Sequence, residues 1–313
     1  MREAAVDDER RHTWTAMGTT CTVWLVGDGA ADGAVAAERI VADLEAGWSR
    51  FIPTSDVGRL NRAGGRAVTV AERTIDVVER AVAWWRETDG RFDPTVLDAL
   101  EAAGYDRDHA TGHGPIGVGT PAPGCADVVV DHVAGTIQLP AGVRVDLGGI
   151  GKGRAVDLVA EHLRDLRGGL VDLGGDLRVW GAAPGGGSGW PVAVDDLRDG
   201  SPLALIGLLD GAVATSSTLR RRWSDGSRSA HHLIDPRDGS PARGDLVSVT
   251  VVAGKAEGAE VLAKAALIAG SVAAARPLLD DHGVAAALVP RAGPIALVGG
   301  FADLCWSLPA EVA

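Results

Sequence analysis

Residues 145–153 read Val-Asp-Leu-Gly-Gly-Ile-Gly-Lys-Gly and feed a helical stretch. A strand, a glycine loop and a helix N-terminus make an anion site, because backbone N–H groups point outward and the helix dipole favours negative charge. The glycines allow a phosphate close to the backbone, and Lys152 adds a point charge. This is not a Walker A loop. Asp146 stands where its first glycine belongs, and neither Ser nor Thr follows Lys152. It is not a dinucleotide fingerprint either, since Arg154 replaces the last glycine. Phosphate binding and a tight turn with a capping lysine are the two readings of this loop.

Four further groups carry chemical potential. Gly174-Gly175-Asp176 lies between two strand-like runs and suits a hairpin turn. The hydroxyl row 215–218, including Thr215, could donate to phosphate oxygens, or simply end a strand. His231 and His232 are adjacent, and neighbours on a strand face opposite ways, so both can hardly bind one metal. One of them could serve as a base or phosphate partner, or be an ordinary core or surface histidine. Glu257, Glu260 and Lys264 are spaced by three and four, which puts them along one helix face. Two carboxylates there could hold Mg²⁺, or could complement the helix dipole with Glu260 paired to Lys264.

The elements that position these groups are legible in outline. Residues 19–26 read as a strand and 30–48 as a helix, with Val35, Ile40, Val41, Leu44 and Trp48 at helical spacing. Residues 49–65 are polar and turn-rich. Helices are expected at 70–88, 95–103, 152–166, 256–269 and 272–279. Strands are expected at 169–173, 177–180, 190–194, 203–208, 212–216, 232–234, 246–252, 285–289 and 295–298, with a hairpin over 127–139. Such blocks, without strict βαβ alternation, argue an α+β fold with largely antiparallel sheets and flanking helices. The Gly- and Pro-rich stretch 112–124 is the expected subdomain boundary within one domain over 14–313, preceded by a loosely ordered N-terminus over 1–13.

Composition narrows the function classes. The chain has 313 residues, 46 % hydrophobic and 23 % charged, with a net charge of −12. A nucleic-acid partner would want a basic face, and Arg220-Arg221-Arg222 is the one compact basic run, either a solvated strand end or a phosphate contact. No apolar run reaches the ~20 residues of a membrane span, so neither nucleic acid nor membrane is an expected partner. Cys21, Cys125 and Cys305 make neither a disulfide framework nor a metal knuckle. A reducing, cytoplasmic setting is expected, with no secretory signal at 1–11. Composition leaves the oligomeric state open.

The order of the motifs goes further. Met17-Gly-Thr, Ser49-Arg-Phe51, Gly90-Arg-Phe-Asp-Pro-Thr95, the 146–153 loop, Gly174-Gly-Asp176, Thr215-Ser216, His232-Leu-Ile-Asp-Pro236 and Ala259-Glu-Val-Leu-Ala263 follow one another. Over roughly residues 14–270 this resembles the ApbE family of FAD:protein FMN transferases. The resemblance implies an ApbE-like, T-fold-related architecture. It implies attack by a Thr or Ser hydroxyl of a target flavoprotein on the FMN-side phosphorus of FAD, with AMP leaving and Mg²⁺ bridging the phosphates. Such a reaction rests on positioning and charge neutralisation.

By the same resemblance, Met17, Phe51, Arg91, Phe92, Asp93, Asp146, Lys152, Thr215 and Ser248 are expected to contact FAD, and His232 to act as base or phosphate-orienting group. The Gly149 carbonyl, Glu257 and Glu260 fall at metal-ligand positions, and Lys264 replaces the usual Thr ligand. Glu260 itself replaces a usual Asp. An ammonium offers a metal no lone pair, so one weak Mg²⁺ site or none is expected. An FAD pyrophosphatase that admits water, and a flavin-binding protein without catalysis, are the alternatives.

Overall fold

The computed structural model describes residues 9–107, 112–187 and 189–308. Its main sheet has eight strands: β1 (Glu9–Ala16), β2 (Thr19–Val26), β3 (Gly168–Leu173), β4 (Asp176–Gly181), β5 (Asp210–Ser217), β6 (Leu246–Ala253), β7 (Ala285–Pro290) and β8 (Ala296–Val298). They lie side by side in chain order, and every neighbouring pair is antiparallel. The helices are α1 (Ala30–Trp48), α2 (Asp56–Arg62), α3 (Glu72–Glu87), α4 (Leu97–Ala102), α5 (Gly151–His162), α6 (Ala256–Ile268) and α7 (Val272–Asp281).

Alternation along the strands sorts the two faces. Cys21, Val23 and Leu25 of β2 join Val171 and Leu173 of β3 in a core with α1 and α5. The facing side packs Val179 and Val213 against Trp190, Val192 and Ile206 of a small hairpin sheet, Trp190–Asp195 with Pro202–Leu208. Trp24 meets Trp190 edge-on there at 6.1 Å.

Two hairpin turns in the main sheet matter for the site. Met17 and Gly18 join β1 to β2 with φ of 50° and 65°. Gly174 and Gly175 join β3 to β4 with φ of 71° and 95°. Positive φ at both central positions matches the right-handed strand twist. Glycine adopts it freely, whereas Met17 is an uncommon occupant.

Three expectations need correction. Residues 9–13 are part of β1, because their backbone pairs with β2 from Glu9 opposite Val26 onward; outward charges hid the strand. Residues 49–65 contain α2, which starts at Ser55, whose Oγ accepts the Gly58 N–H at 2.8 Å. Seven residues are too few to show a helical period. His232 is not in a strand: the pairing ends at His231. Residues 1–8 of the expected loose N-terminus lie outside the described residues. The stretch 112–124 has no regular structure and is tied down by Ala122 N–H to the Pro236 carbonyl at 2.8 Å and Gly124 N–H to Thr95 Oγ1 at 2.9 Å.

Candidate active site

The glycine loop enters α5 against the N-terminal turn of α6. Gly153 is required there, since a Cβ would lie 2.5 Å from the Ala256 carbonyl oxygen. The two helices cap each other. Asp157 of α5 accepts the N–H groups of Ala256 and Glu257 at 3.0 Å each. Glu260 of α6 accepts the Gly153 N–H at 2.9 Å through Oε2. Each carboxylate meets the positive end of the other helix. Part of the anion-binding capacity read into the glycine loop is therefore used internally.

Lys152 bridges two carboxylates. Its Nζ donates to Glu260 Oε1 at 2.8 Å and to Asp176 Oδ2. The Gly174-Gly175 turn delivers Asp176 to this spot as the first residue of β4. Burial pulls the Lys152 pKa down, but Asp176 and Glu260 outweigh it and leave it above the usual lysine range. Burial pushes Asp176 up to about 6 against the attraction of Lys152. Burial also works against ionised Glu260, yet Lys152 and Lys264 overcome it and hold its pKa low. Lys264 Nζ stands 3.8 Å from Glu260 Oε1, and burial lowers its pKa more than Glu260 restores it.

Two chambers open on this charged group. One, of about 180 Å³, is lined by Met17, Trp48, Phe51, Arg91, Phe92, Asp93, Tyr105, Asp146 and Gly149, among others. Arg50 organises its floor. The guanidinium pairs with Asp146 at 2.7 Å and lies over the Phe51 ring at 4.1 Å and the Tyr105 ring at 5.0 Å. Asp146 also accepts the Gly148 N–H at 2.8 Å, which fixes the loop. Met17 N–H donates to Glu45 at 2.8 Å and so anchors the β1–β2 turn at the rim. Asp93 is held by the Thr95 N–H and hydroxyl at 2.7 and 2.6 Å, and burial raises its pKa.

The second chamber, of about 430 Å³, is polar and lined by Asp172, Asp176, Asp195, Thr215, Ser216 and Arg220, among others. Thr215 pairs with Thr250 across β5 and β6 at 2.8 Å. Gly148, Lys152, Arg221, His232 and Lys264 line both chambers and form the wall between them. Burial first, then the positive charges of Arg221 and Lys264, pull the His232 pKa well below the ordinary value of 6.5. Its ring is therefore neutral, and its buried Nδ1 has no hydrogen-bond partner among the described residues. His231 is a structural residue. Its Nδ1 accepts the Leu233 N–H at 3.3 Å, which leaves the proton on Nε2, 3.2 Å from the Ala242 carbonyl.

Two expected site residues lie elsewhere. Ser248 is buried in β6, opposite Ser217, and lines neither chamber. Glu257 also lies off the cleft: it accepts the Trp84 indole N–H at 2.7 Å and approaches Arg80 at 3.5 Å and Arg154 at 3.8 Å. Helical side chains lean toward the N-terminus, so Glu257 reaches beyond the first turn of α6 toward α3, while Glu260 and Lys264 reach the glycine loop. Asp176, Arg50, Glu45, Tyr105 and Arg221 were not among the expected site residues. Asp176, Arg221 and Arg50 had a visible signal, as the turn motif, the arginine run and the middle of the Ser49-Arg-Phe51 motif.

The donor set does not suit the expected divalent metal. Both Glu260 oxygens are engaged, Asp176 is paired to Lys152, and Glu257 is out of reach. Among the described residues no group of three or more His, Cys, Asp or Glu could hold a metal ion.

The site thus joins a ring-lined chamber, a cationic wall and a buried histidine within an antiparallel α+β frame. Residues 17–303 match the ApbE family, and the chain belongs to it. It is 28 % identical over 257 residues to the FAD:protein FMN transferase of Treponema pallidum, covering 75 % of this chain and 70 % of the relative. It is 26 % identical over 267 residues to the enzyme of the same name from Vibrio cholerae, covering 81 % and 79 %. Among solved structures, the ApbE protein of Thermotoga maritima superposes with a TM-score of 0.85 at 27 % identity, covering 96 % of this chain and all 100 % of the other. The flavinyl transferase ApbE of Pseudomonas stutzeri gives 0.78 at 25 % identity, covering 97 % and 99 %.

Proposed function

We infer that this chain is an FAD:protein FMN transferase. FAD is the substrate, and the acceptor is a target flavoprotein presenting a Thr or Ser hydroxyl. The observation that carries this reading is the wall of Lys152, Arg221, Lys264 and His232 between an aromatic chamber and a polar one. An aromatic ring system of FAD fits against Phe51, Tyr105 and Trp48, with Met17, Arg91, Phe92, Asp93 and Asp146 around it. The diphosphate then lies along the wall, and the acceptor hydroxyl arrives through the second chamber beside Thr215.

The hydroxyl oxygen attacks the FMN-side phosphorus. A new P–O bond forms, the bond to the bridging oxygen breaks, and AMP leaves with that oxygen. His232 takes the hydroxyl proton, which suits a neutral imidazole that lines both chambers. Lys152, Lys264 and Arg221 offset the charge of the diphosphate and of the leaving AMP. A diphosphate beside Lys264 raises its pKa again and favours the ammonium. Cys21, Cys125 and Cys305 are all free thiols, which supports a reducing, cytoplasmic setting. No helix among the described residues is long and apolar enough to cross a membrane.

The test is incubation with FAD and a Thr- or Ser-bearing flavoprotein, following AMP by chromatography and the acceptor by mass. The reading expects AMP together with an acceptor heavier by one FMN residue. AMP with an unmodified acceptor would instead mark hydrolysis.

A further inference from the structure

The reading above rests on charge neutralisation along the wall, and the structure names the group that supplies it. The Lys264 ammonium lies against the glycine loop so closely that a Cβ at Gly149 would sit 2.8 Å from Nζ. It is also 3.8 Å from Glu260 Oε1 and lines both chambers. It thus stands between a loop backbone and a carboxylate, facing the cleft, where a bound cation would serve a diphosphate. The neighbouring carboxylates are already committed: Glu260 to Lys152 and to the Gly153 N–H, Asp176 to Lys152. An incoming divalent ion would meet two ammonium groups and no unengaged carboxylate of this pair. Like charges oppose its entry, and a protonated amine has no lone pair to offer.

We propose that Lys264 is a built-in cation which binds the FAD diphosphate, so that this enzyme binds and turns over FAD without a divalent metal. The proposal deepens the transferase reading and depends on it only for turnover. Binding can be measured alone, by quenching of flavin fluorescence in EDTA and in excess Mg²⁺.

Wild-type affinity for FAD is expected to be the same in both buffers, within about twofold. Lys264→Met is expected to bind FAD ~10-fold or more weakly in both, the worth of one charge-assisted hydrogen bond. Lys264→Thr, which removes the ammonium and supplies a hydroxyl, is expected to bind weakly in EDTA and to recover with Mg²⁺. Circular dichroism checks that each variant is folded, and the wild-type comparison needs no variant. A wild type that loses ~10-fold in EDTA and regains it with Mg²⁺ would overturn the proposal, as would AMP release that stops in EDTA and returns with Mg²⁺. If neither buffer supports AMP release while FAD binds equally in both, the transferase reading fails and metal-independent binding stands.

Discussion

The two chambers share one wall but are built differently. The ring-lined chamber is assembled from turns and helix ends: the Met17 turn, Ser49–Phe51 after α1, Arg91–Asp93 after α3, Tyr105 and the 146–149 loop. The polar chamber draws on strands: the ends of β3 and β4, the length of β5 from Val213 to Ser217, and the outer hairpin at 192–195. Strands hold side chains to tighter geometry than loops do. A flat ring tolerates small displacements, whereas an attacking hydroxyl does not. The ring chamber, together with the cations of the wall, should therefore set affinity for FAD, the polar chamber should set the approach of the acceptor, and His232 of the wall should set the rate.

Removing the wall's proton acceptor should separate these roles most sharply. His232→Gln is expected to lower the transfer rate ~10²–10⁴-fold, with FAD affinity within about threefold, as read by single-turnover AMP release beside fluorescence titration. A comparable loss of affinity would mean that His232 serves to hold FAD rather than to accept the proton.

The next effect concerns stability. Lys152→Met leaves Asp176 and Glu260 buried beside each other with the nearer ammonium gone. Truncating one partner of a buried charge group costs about 3–5 kcal/mol, so urea unfolding should shift markedly. Phe51, at 36 % exposure, lies at the open side of the ring chamber. Phe51→Ala should weaken FAD binding by ~10-fold or less and leave the acceptor KM unchanged. An altered acceptor KM would break the division between the chambers.

The smallest effect is a pH dependence. His232 has a folded pKa below its unfolded value. The unfolded chain therefore binds more protons as pH falls below about 6.5, and stability is lost in that direction. Thermal melts from pH 7 to 5 should fall more steeply for wild type than for His232→Gln.

The local elements behind this comparison were visible in the sequence, and the reason lies in their scale. The apolar spacing of α1 fixed its limits at Ala30–Trp48, and paired glycines gave the turn before Asp176. Local patterns carry that information. The partner of a charge is set by tertiary packing instead. Glu257 and Glu260 share a helix face, yet one reaches Trp84 and the other the N-terminus of α5. The meeting of Arg50 with Asp146 depends on how α1 packs near the glycine loop, which no local period encodes. Likewise, Lys264 was legible as a departure from the family pattern, but its place against Gly149 was not.

The most direct test is a crystal structure of the FAD complex, using His232→Gln to prevent turnover. The account predicts the diphosphate against Lys152, Arg221 and Lys264, with one ring system beside Phe51 and Tyr105 and the second chamber open toward the FMN-side phosphorus. A diphosphate bound away from that wall, or a second chamber filled by FAD itself, would contradict it.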